Sequence, residues 1–342
     1  ALSNNRNVIM KVIIPVAGAG TKLRPHTYTQ PKALIPMAGK TILGVILDQL
    51  SSREFEEYVF VVGYLGEKIQ DYIRQYYGHL NCTFVTQNDR KGTGHAIYLT
   101  ANVVGDSEVL IVYGDTICDY NLDALLDNPH SVVGVKRVDD PRNFGVAEID
   151  KDNKILKVAE KPAIPKSNMA MVGIYKIKET RVMYEVLARE LEKDSAIDGE
   201  YHFTTIMQEM IKSGIVFDAH KMNHWFDCGR KETLLETNKT LLKKMYDEKQ
   251  DMVMPEQLIN SVVIPPVNIG KGCIIRDSII GPSVSIGENS LVASSIIKNS
   301  ILGNYARLEE VVLEASIIGS DAYVKGVCQS LNIGDNTEID LG

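Results

Sequence analysis

The hydrophobic pattern divides the chain into two parts of different periodicity. Up to about residue 257, short apolar runs alternate with amphipathic stretches. Val12-Ile13-Ile14, Tyr58-Val59-Phe60-Val61-Val62 and Val109-Leu110-Ile111-Val112-Tyr113 are rich in β-branched residues and leave almost no polar position to face water, as strands covered on both faces require. Between them lie the amphipathic segments Thr41–Arg53, Glu67–Tyr77 and Gly94–Val103. This order predicts βαβ units in a Rossmann-like, doubly wound α/β domain, with ligands at the carboxyl ends of the strands. The runs Val132–Val138, Val146–Ile149, Ile155–Glu160 and Met169–Ile177 follow one another closely and predict an antiparallel extension of a mostly parallel sheet. A polar helix is expected from about Arg230 to Tyr246, running into the charged segment Asp247–Asp251 and broken at Met254-Pro255.

After residue 257 an aliphatic residue precedes glycine again and again: Ile269-Gly270, Ile280-Gly281, Ile286-Gly287, Leu302-Gly303, Ile318-Gly319 and Ile333-Gly334. Ser-Ile-Ile or Ser-Ile-Leu units recur at 278, 295, 300 and 316. Such a repeat marks a solenoid in which each coil buries its aliphatic residues against the next. The short faces with aliphatic corners predict a left-handed parallel β-helix, and the lack of Phe and Trp in this stretch suits a narrow core.

Length adds a domain count. With 342 residues two domains are expected, here 10–237 and 258–342 joined by a linker helix and break over 238–257. The residues before Met10 have neither the basic nor the apolar region of a signal peptide and read as an N-terminal extension or expression scar. Hydrophobic residues at 44% and charged residues at 24% describe an ordinary globular chain. The 37 Lys+Arg against 44 Asp+Glu leave a net charge of −7, which argues against a dedicated nucleic-acid binder. No apolar run approaches the roughly 18 residues of a membrane span. Five cysteines (Cys82, Cys118, Cys228, Cys273, Cys328) are scattered without a Cys-x-x-Cys pair, and read as reduced thiols of a cytoplasmic protein.

The chemistry concentrates after the first strand, in Pro15-Val16-Ala17-Gly18-Ala19-Gly20-Thr21-Lys22-Leu23-Arg24-Pro25. Small residues there let backbone N–H groups approach a phosphate chain, with Lys22 and Arg24 supplying positive charge. A bare Gly-x-Gly is more often a tight turn, and neither a Walker A loop nor a complete Gly-x-Gly-x-x-Gly is present. Downstream, Pro31-Lys32-Ala33-Leu34-Ile35-Pro36 and Gly39-Lys40 complete a longer string. That string resembles the signature of the sugar-1-phosphate nucleotidyltransferases. Within them it is similar to the glucose-1-phosphate thymidylyl- and uridylyltransferases and their relatives with an added β-helix.

The resemblance continues in order along some 210 residues, through Gln87 with Lys91-Gly92-Thr93-Gly94-His95-Ala96, Tyr113-Gly114-Asp115, Phe144-Gly145-Val146, Glu160-Lys161-Pro162, Val172-Gly173-Ile174-Tyr175 and Trp225-Phe226-Asp227-Cys228-Gly229. It implies a reaction joining a sugar 1-phosphate to a nucleoside triphosphate with release of pyrophosphate. It also implies roles. Ala17, Gly18, Ala19, Gly20, Thr21, Gln87, Gly92 and Thr93 would bind the nucleotide; Gly145, Glu160, Lys161, Gly173 and Tyr175 the sugar phosphate; Asp115 and Asp227 a Mg²⁺ ion. Lys22, Lys32, Asp115 and Lys161 would be catalytic. A sugar phosphate is already anionic, so the enzyme needs charge neutralisation and in-line placement, not a general base. His95, beside Gly94 at a helix start, suits a structural or capping role.

Two positions depart from the family pattern. Lys22 stands where relatives usually have Arg, and a lysine lacks the planar two-point grip on phosphate. Thr205 stands where they commonly have Asp. A low-activity regulatory or scaffolding homologue that binds nucleotide sugar therefore stays open beside the active enzyme. A bifunctional protein whose β-helix transfers acyl groups also stays open, although that chemistry calls for a His base and the last histidine is His224. A dimer or tetramer of identical chains is expected from solenoid faces and flat domain edges. No nucleic-acid or membrane partner is expected.

Overall fold

The computed structural model describes residues 8–250, 255 and 257–326. The first seven residues, the expected helix break at Met254 and the last repeat at Ile333-Gly334 lie outside the described residues. Contacts divide the chain into two compact units. One contains residues 1–35 and 40–234, the other Pro36–Gly39 and 235–342.

The first unit is the expected mixed, mostly parallel α/β sheet. In chain order its strands and the short strands of the intervening excursion are β1 (Val8–Pro15), β2 (Pro36–Met37), β3 (Lys40–Thr41), β4 (Phe55–Val62), β5 (Cys82–Thr86), β6 (Glu108–Val112), β7 (Thr116–Asp119), β8 (Ser131–Arg137), β9 (Gly145–Ile149), β10 (Ile155–Glu160), β11 (Met169–Ile177), β12 (Phe217–Lys221) and β13 (His224–Asp227). The main sheet runs in the order β10-β9-β11-β6-β1-β4-β5, with β8 and β12 continuing from β11. Strand β1 lies parallel to β4 and β6 at its centre. Val12, Ile13 and Ile14 are fully buried there, which explains the uninterrupted apolar run. Strand β11 is antiparallel to β6, β8 and β9, the extension that the closely spaced runs predicted.

Helices α1 (Ile42–Leu50), α2 (Gly66–Tyr76), α3 (Gly92–Tyr98), α4 (Ala101–Val104), α5 (Leu122–Leu126), α6 (Thr180–Glu192) and α7 (Phe203–Lys212) connect these strands, and α8 (Lys231–Asp247) follows the last of them. The Thr41 hydroxyl caps α1 by accepting the Gly44 amide, removing one orphan donor of its first turn. The expected helix over Gly94–Val103 is two short helices, separated at Leu99–Thr100. Buried Thr100 turns its hydroxyl back onto the Ile97 carbonyl at 2.6 Å, a local bond that competes with helix continuation. Among the described residues no helix is long and apolar enough to cross a membrane.

In the second unit, short strands from Gln257 to Lys325 stack in three all-parallel sheets, as in a left-handed β-helix. The register carries Leu258 onto Ile275, Val292, Leu308 and Val324, and Ile269 onto Ile286, Leu302 and Ile318. Ile269, Ile275, Ile280, Ile286, Val292, Ile297, Leu302 and Leu308 form a core of their own. Buried serines extend this stacking. Ser278, Ser295 and Ser300 each turn a hydroxyl onto a carbonyl two residues back, and the Ser278 oxygen accepts the Ser295 amide of the next coil at 3.0 Å.

The same unit holds the excursion Pro36–Gly39. The Ala38 amide donates to Asn238 Oδ1 at 2.8 Å, and the Ser285 hydroxyl donates to that oxygen at 2.6 Å. Asn238 is wholly buried, so its amide serves as an internal junction with its carbonyl oxygen satisfied.

Candidate active site

The carboxyl ends of β1 and β6 open onto one cleft of about 360 Å³, lined by the loop Pro15–Thr21, Lys32, Gln87, Gly92, Thr93, Tyr113, Gly114 and Asp115. Two glycines make this loop possible. Gly20 has φ +62°, and a Cβ there would lie 2.9 Å from Thr27 Cγ2. A Cβ on Gly114 would come within 2.2 Å of Val16 Cγ1, so the β1 and β6 loops approach only because Gly114 has no side chain. The space beside Gly18 is different: no protein atom lies within 4 Å of its notional Cβ. Nothing in the fold demands glycine at 18, and its bare backbone leaves the loop open to a close ligand.

Lys32 follows in a 3-10 turn, Lys32–Leu34, and its Nζ contacts Asp115 Oδ2 at 2.6 Å. Burial by itself pulls the Lys32 ammonium down, but Asp115, with Asp227 behind it, outweighs that and holds it above the usual lysine range. Burial likewise pushes Asp115 up, and the Lys32 ion pair reverses the sign, leaving it below the usual carboxylate range. Asp115 keeps 41% of its side chain exposed, so this pair stands at the cleft and not in the core.

Asp227 reaches the same place from the other side of a small ladder. Strand β13 runs antiparallel to β7 with Asp227 opposite Thr116, and the Cys228 amide donates to the Asp115 carbonyl at 3.1 Å. Burial first, and then the Asp115 charge, raise the Asp227 carboxyl above its usual range despite Lys32, Lys22 and Arg230. Burial and the Asp115 charge thus disfavour the ionised form of Asp227, and two neighbouring carboxylates beside a phosphate-sized loop suit a cation. Among the described residues no three His, Cys, Asp or Glu side chains group into a metal site complete in itself. The donor set fits an ion that takes its remaining ligands from phosphate and water.

Gln87 is 5% exposed. Its Nε2 donates to the Gly92 carbonyl at 3.1 Å and lies 3.0 Å from His95 Nδ1. Gly92, at φ +87°, packs against the Tyr201 backbone, where a Cβ would sit 2.8 Å from the carbonyl oxygen. The Thr93 hydroxyl accepts the Phe203 amide at 3.3 Å at the start of α7.

The residues that the resemblance gives to the sugar phosphate do not line this cleft. Gly145 and Glu160 face each other across the β9–β10 ladder, with Glu160 accepting the Thr204 hydroxyl at 2.7 Å and standing 3.7 Å from His202 and 3.8 Å from Lys161 Nζ. Lys161 has φ +38° and an exposed side chain. Gly173, at φ +83°, lets the Tyr113 ring pass where a Cβ would be 2.7 Å away. Tyr175 is 3% exposed in the core, its ring edge-on to Tyr113 and Phe203. Lys22 is exposed on the 3-10 turn Thr21–Leu23.

Sequence reasoning passed over Arg90 and Glu200, which also line the cleft, and Thr204, which holds Glu160. Arg90 stacks its guanidinium 5.5 Å from the centre of the Tyr64 ring. A lone Arg or Thr between motifs gives no signal without neighbours, and theirs come from distant strands.

A family model described as nucleotidyl transferase matches residues 11–244. The chain is 35% identical over 323 residues to a bifunctional protein GlmU of Methanococcus vannielii, across 93% of this chain and 73% of that protein. It is 35% identical over 255 residues to the GlmU of Methanocaldococcus jannaschii, spanning only 60% of that protein's length. A glucose-1-phosphate thymidylyltransferase of Streptomyces antibioticus is 27% identical, with 96% of this chain and 93% of that protein covered. Among solved structures, a putative glucose-1-phosphate thymidylyltransferase of Bacillus anthracis superposes with TM-score 0.58 and 26% identity over 68% of this chain and 95% of that one. A UDP-glucose pyrophosphorylase complexed with UDP-glucose shares the fold at TM-score 0.60 and 23% identity, over 69% of this chain and all of that one.

Proposed function

Because the chain belongs to the nucleotidyl transferase family, we propose that it makes a nucleotide sugar and pyrophosphate from a nucleoside triphosphate, UTP or dTTP, and a hexose 1-phosphate, glucose 1-phosphate first. The observation that carries this reading is the cleft itself. An open glycine-alanine backbone faces Lys32 and Asp115, and Asp227 stands close enough for the Asp115 charge to raise its carboxyl.

In this reading an oxygen of the sugar phosphate attacks the α-phosphorus. The bond from that phosphorus to the oxygen bridging to the β-phosphate breaks, and pyrophosphate leaves. The attacking oxygen carries charge at neutral pH, so no proton has to be removed. Lys22 and Lys32 hold the triphosphate and offset charge building on the α-phosphate. Backbone N–H groups of Ala17–Thr21 orient the chain of phosphates. Asp115 and Asp227 would hold Mg²⁺, which would supply charge neutralisation at the phosphate oxygens. Glu160 accepts bonds from sugar hydroxyls, and Lys161 meets the phosphate of the sugar. Gly145 and Gly173 shape the neighbouring backbone, with Tyr175 supporting Tyr113 from beneath.

The test is pyrophosphate release from a matrix of four or five triphosphates against glucose, galactose, mannose and N-acetylglucosamine 1-phosphates. Turnover with UTP or dTTP and one hexose 1-phosphate supports the reading. Nucleotide-sugar binding without turnover favours a regulatory homologue, for which the Lys22 and Thr205 departures speak. A second activity in the β-helix has only the name of the bifunctional relatives in its favour.

A further inference from the structure

The bonds around Gln87 settle which face of its amide is left for a ligand. The Gly92 carbonyl can only accept, so the Gln87 atom 3.1 Å from it is the NH₂ group. That same nitrogen lies 3.0 Å from His95 Nδ1. An amide NH₂ cannot accept there, so Nδ1 must be the acceptor and the ring proton sits on Nε2. The Gly92 carbonyl is itself fixed, because the Tyr201 amide donates to Lys91 O at 2.8 Å and the Gly94 amide to Tyr201 O at 2.7 Å on either side of it. Both N–H bonds of the amide are therefore used within the protein, and what Gln87 offers the cleft is the acceptor Oε1.

We propose that His95 is a positioning residue that locks the Gln87 amide as a pure acceptor, and so selects bases presenting an imide N–H, uracil or thymine, against cytosine. Cytosine presents a lone pair at the same ring position, which would face the lone pairs of Oε1 with no donor between them. A free glutamine could rotate its amide and serve either base; one clamped by Gly92 and His95 cannot. Burial, helped by Lys91, lowers the proton affinity of His95 against the opposite pull of Asp89, which favours the neutral ring that the geometry requires. The inference rests on the nucleotidyl-transfer reading for its substrate, but the tautomer and the amide orientation stand on the hydrogen bonds alone.

The test combines long-range ¹H–¹⁵N spectra of the histidines with base selectivity, read as the kcat/KM ratio of UTP (or dTTP) to CTP. The free protein is expected to show His95 as the Nε2–H tautomer. His95→Leu should lose selectivity roughly tenfold or more, through KM more than kcat, while His95→Gln, which can still accept, should retain most of it. Gln87→Glu, which cannot donate, should drive His95 to a protonated Nδ1. A resident Nδ1–H in the parent, unchanged selectivity in His95→Leu, or an unchanged tautomer in Gln87→Glu would each overturn the proposal. If the parent transfers nothing, the functional reading fails; calorimetric affinities for UTP and CTP then replace the rate ratio under the same criteria. If His95→Leu does not fold, the parent and Gln87→Glu spectra decide.

Discussion

Lys32 Nζ and Asp115 Oδ2 stand 2.6 Å apart, so the cation proposed for the triphosphate and a carboxylate proposed for the metal neutralise each other before either substrate arrives. Asp227, on the facing strand, has no such ion pair among the described residues. The two carboxylates should therefore respond differently to neutralisation.

Asp115→Asn and Asp227→Asn are each expected to lower turnover at least about a hundredfold, since both weaken the cation that screens the α-phosphate. Thermal melting in a chelator should tell them apart. Asp227→Asn removes a carboxylate whose ionisation the fold disfavours, so stability should hold or rise. Asp115→Asn removes the Lys32 ion pair, leaving only the more distant Asp227 charge, and should cost about 1 kcal/mol or less, because the partly exposed pair is screened by water. Near-normal kcat/KM in either variant at saturating Mg²⁺ would remove that residue from the metal site.

Lys22→Ala should reduce transition-state stabilisation by roughly 2–4 kcal/mol, the scale of one lost charged donor. Lys22→Arg should change kcat little, because Arg90 and Lys32 already line the cleft. Steady-state rates with the best substrate pair check this. A gain of about tenfold or more in kcat from arginine would support the weakened regulatory homologue instead.

A separate prediction concerns pH. Asp218 contacts Lys154 Nζ at 2.5 Å and His130 Nδ1 at 3.1 Å. Burial raises its carboxyl, but the bonds to Lys154, His130 and Asn128 outweigh this and leave it below the usual range. A carboxyl depressed in the folded state contributes stability above its unfolded value, and that contribution is lost as pH falls through the folded value. Urea unfolding between neutral pH and about pH 3 should show a smaller stability loss in Asp218→Asn than in the parent. Asp218→Asn should also start roughly 1–3 kcal/mol lower at neutral pH. Equal pH slopes would show that Asp218 does not carry this linkage.

A chain ending at residue 256 should keep a folded nucleotide-binding domain and change its state of assembly, because the α/β core and the β-helix core are separate clusters. Light scattering decides it: an unchanged oligomer refutes the assembly role. Within the intact chain, Asn238→Leu should cost about 2–4 kcal/mol, since the buried Ala38 amide and Ser285 hydroxyl would lose their shared acceptor. Denaturant titration measures that cost.

Much of this was legible in the sequence because it repeats or lies in short ordered strings. The aliphatic-glycine repeat is a one-dimensional record of the Ile269–Ile286–Leu302–Ile318 ladder, and the unbroken apolar run of Val12–Ile14 reports a strand covered on both faces. Contacts made at a distance left no such record. Tyr175 looks polar enough for a pocket, but it pairs with Ile111 on one side and Val133 on the other, and a strand inside the sheet draws the whole ring into the core. The Gln87–His95 bond spans eight residues and a strand-to-helix turn, a separation that no periodic pattern encodes. Nor does anything near Pro36–Gly39 announce that its partners lie two hundred residues on.

That excursion also orders events in time. Ala38 is 200 residues ahead of Asn238 and 247 ahead of Ser285. At usual rates of synthesis roughly 10–40 s pass before the nearer partner leaves the ribosome. Through that interval the Ala38 amide is without the Asn238 and Ser285 oxygens that accept it in the folded chain, so the excursion can take its final bonds only after those distant partners have been synthesised.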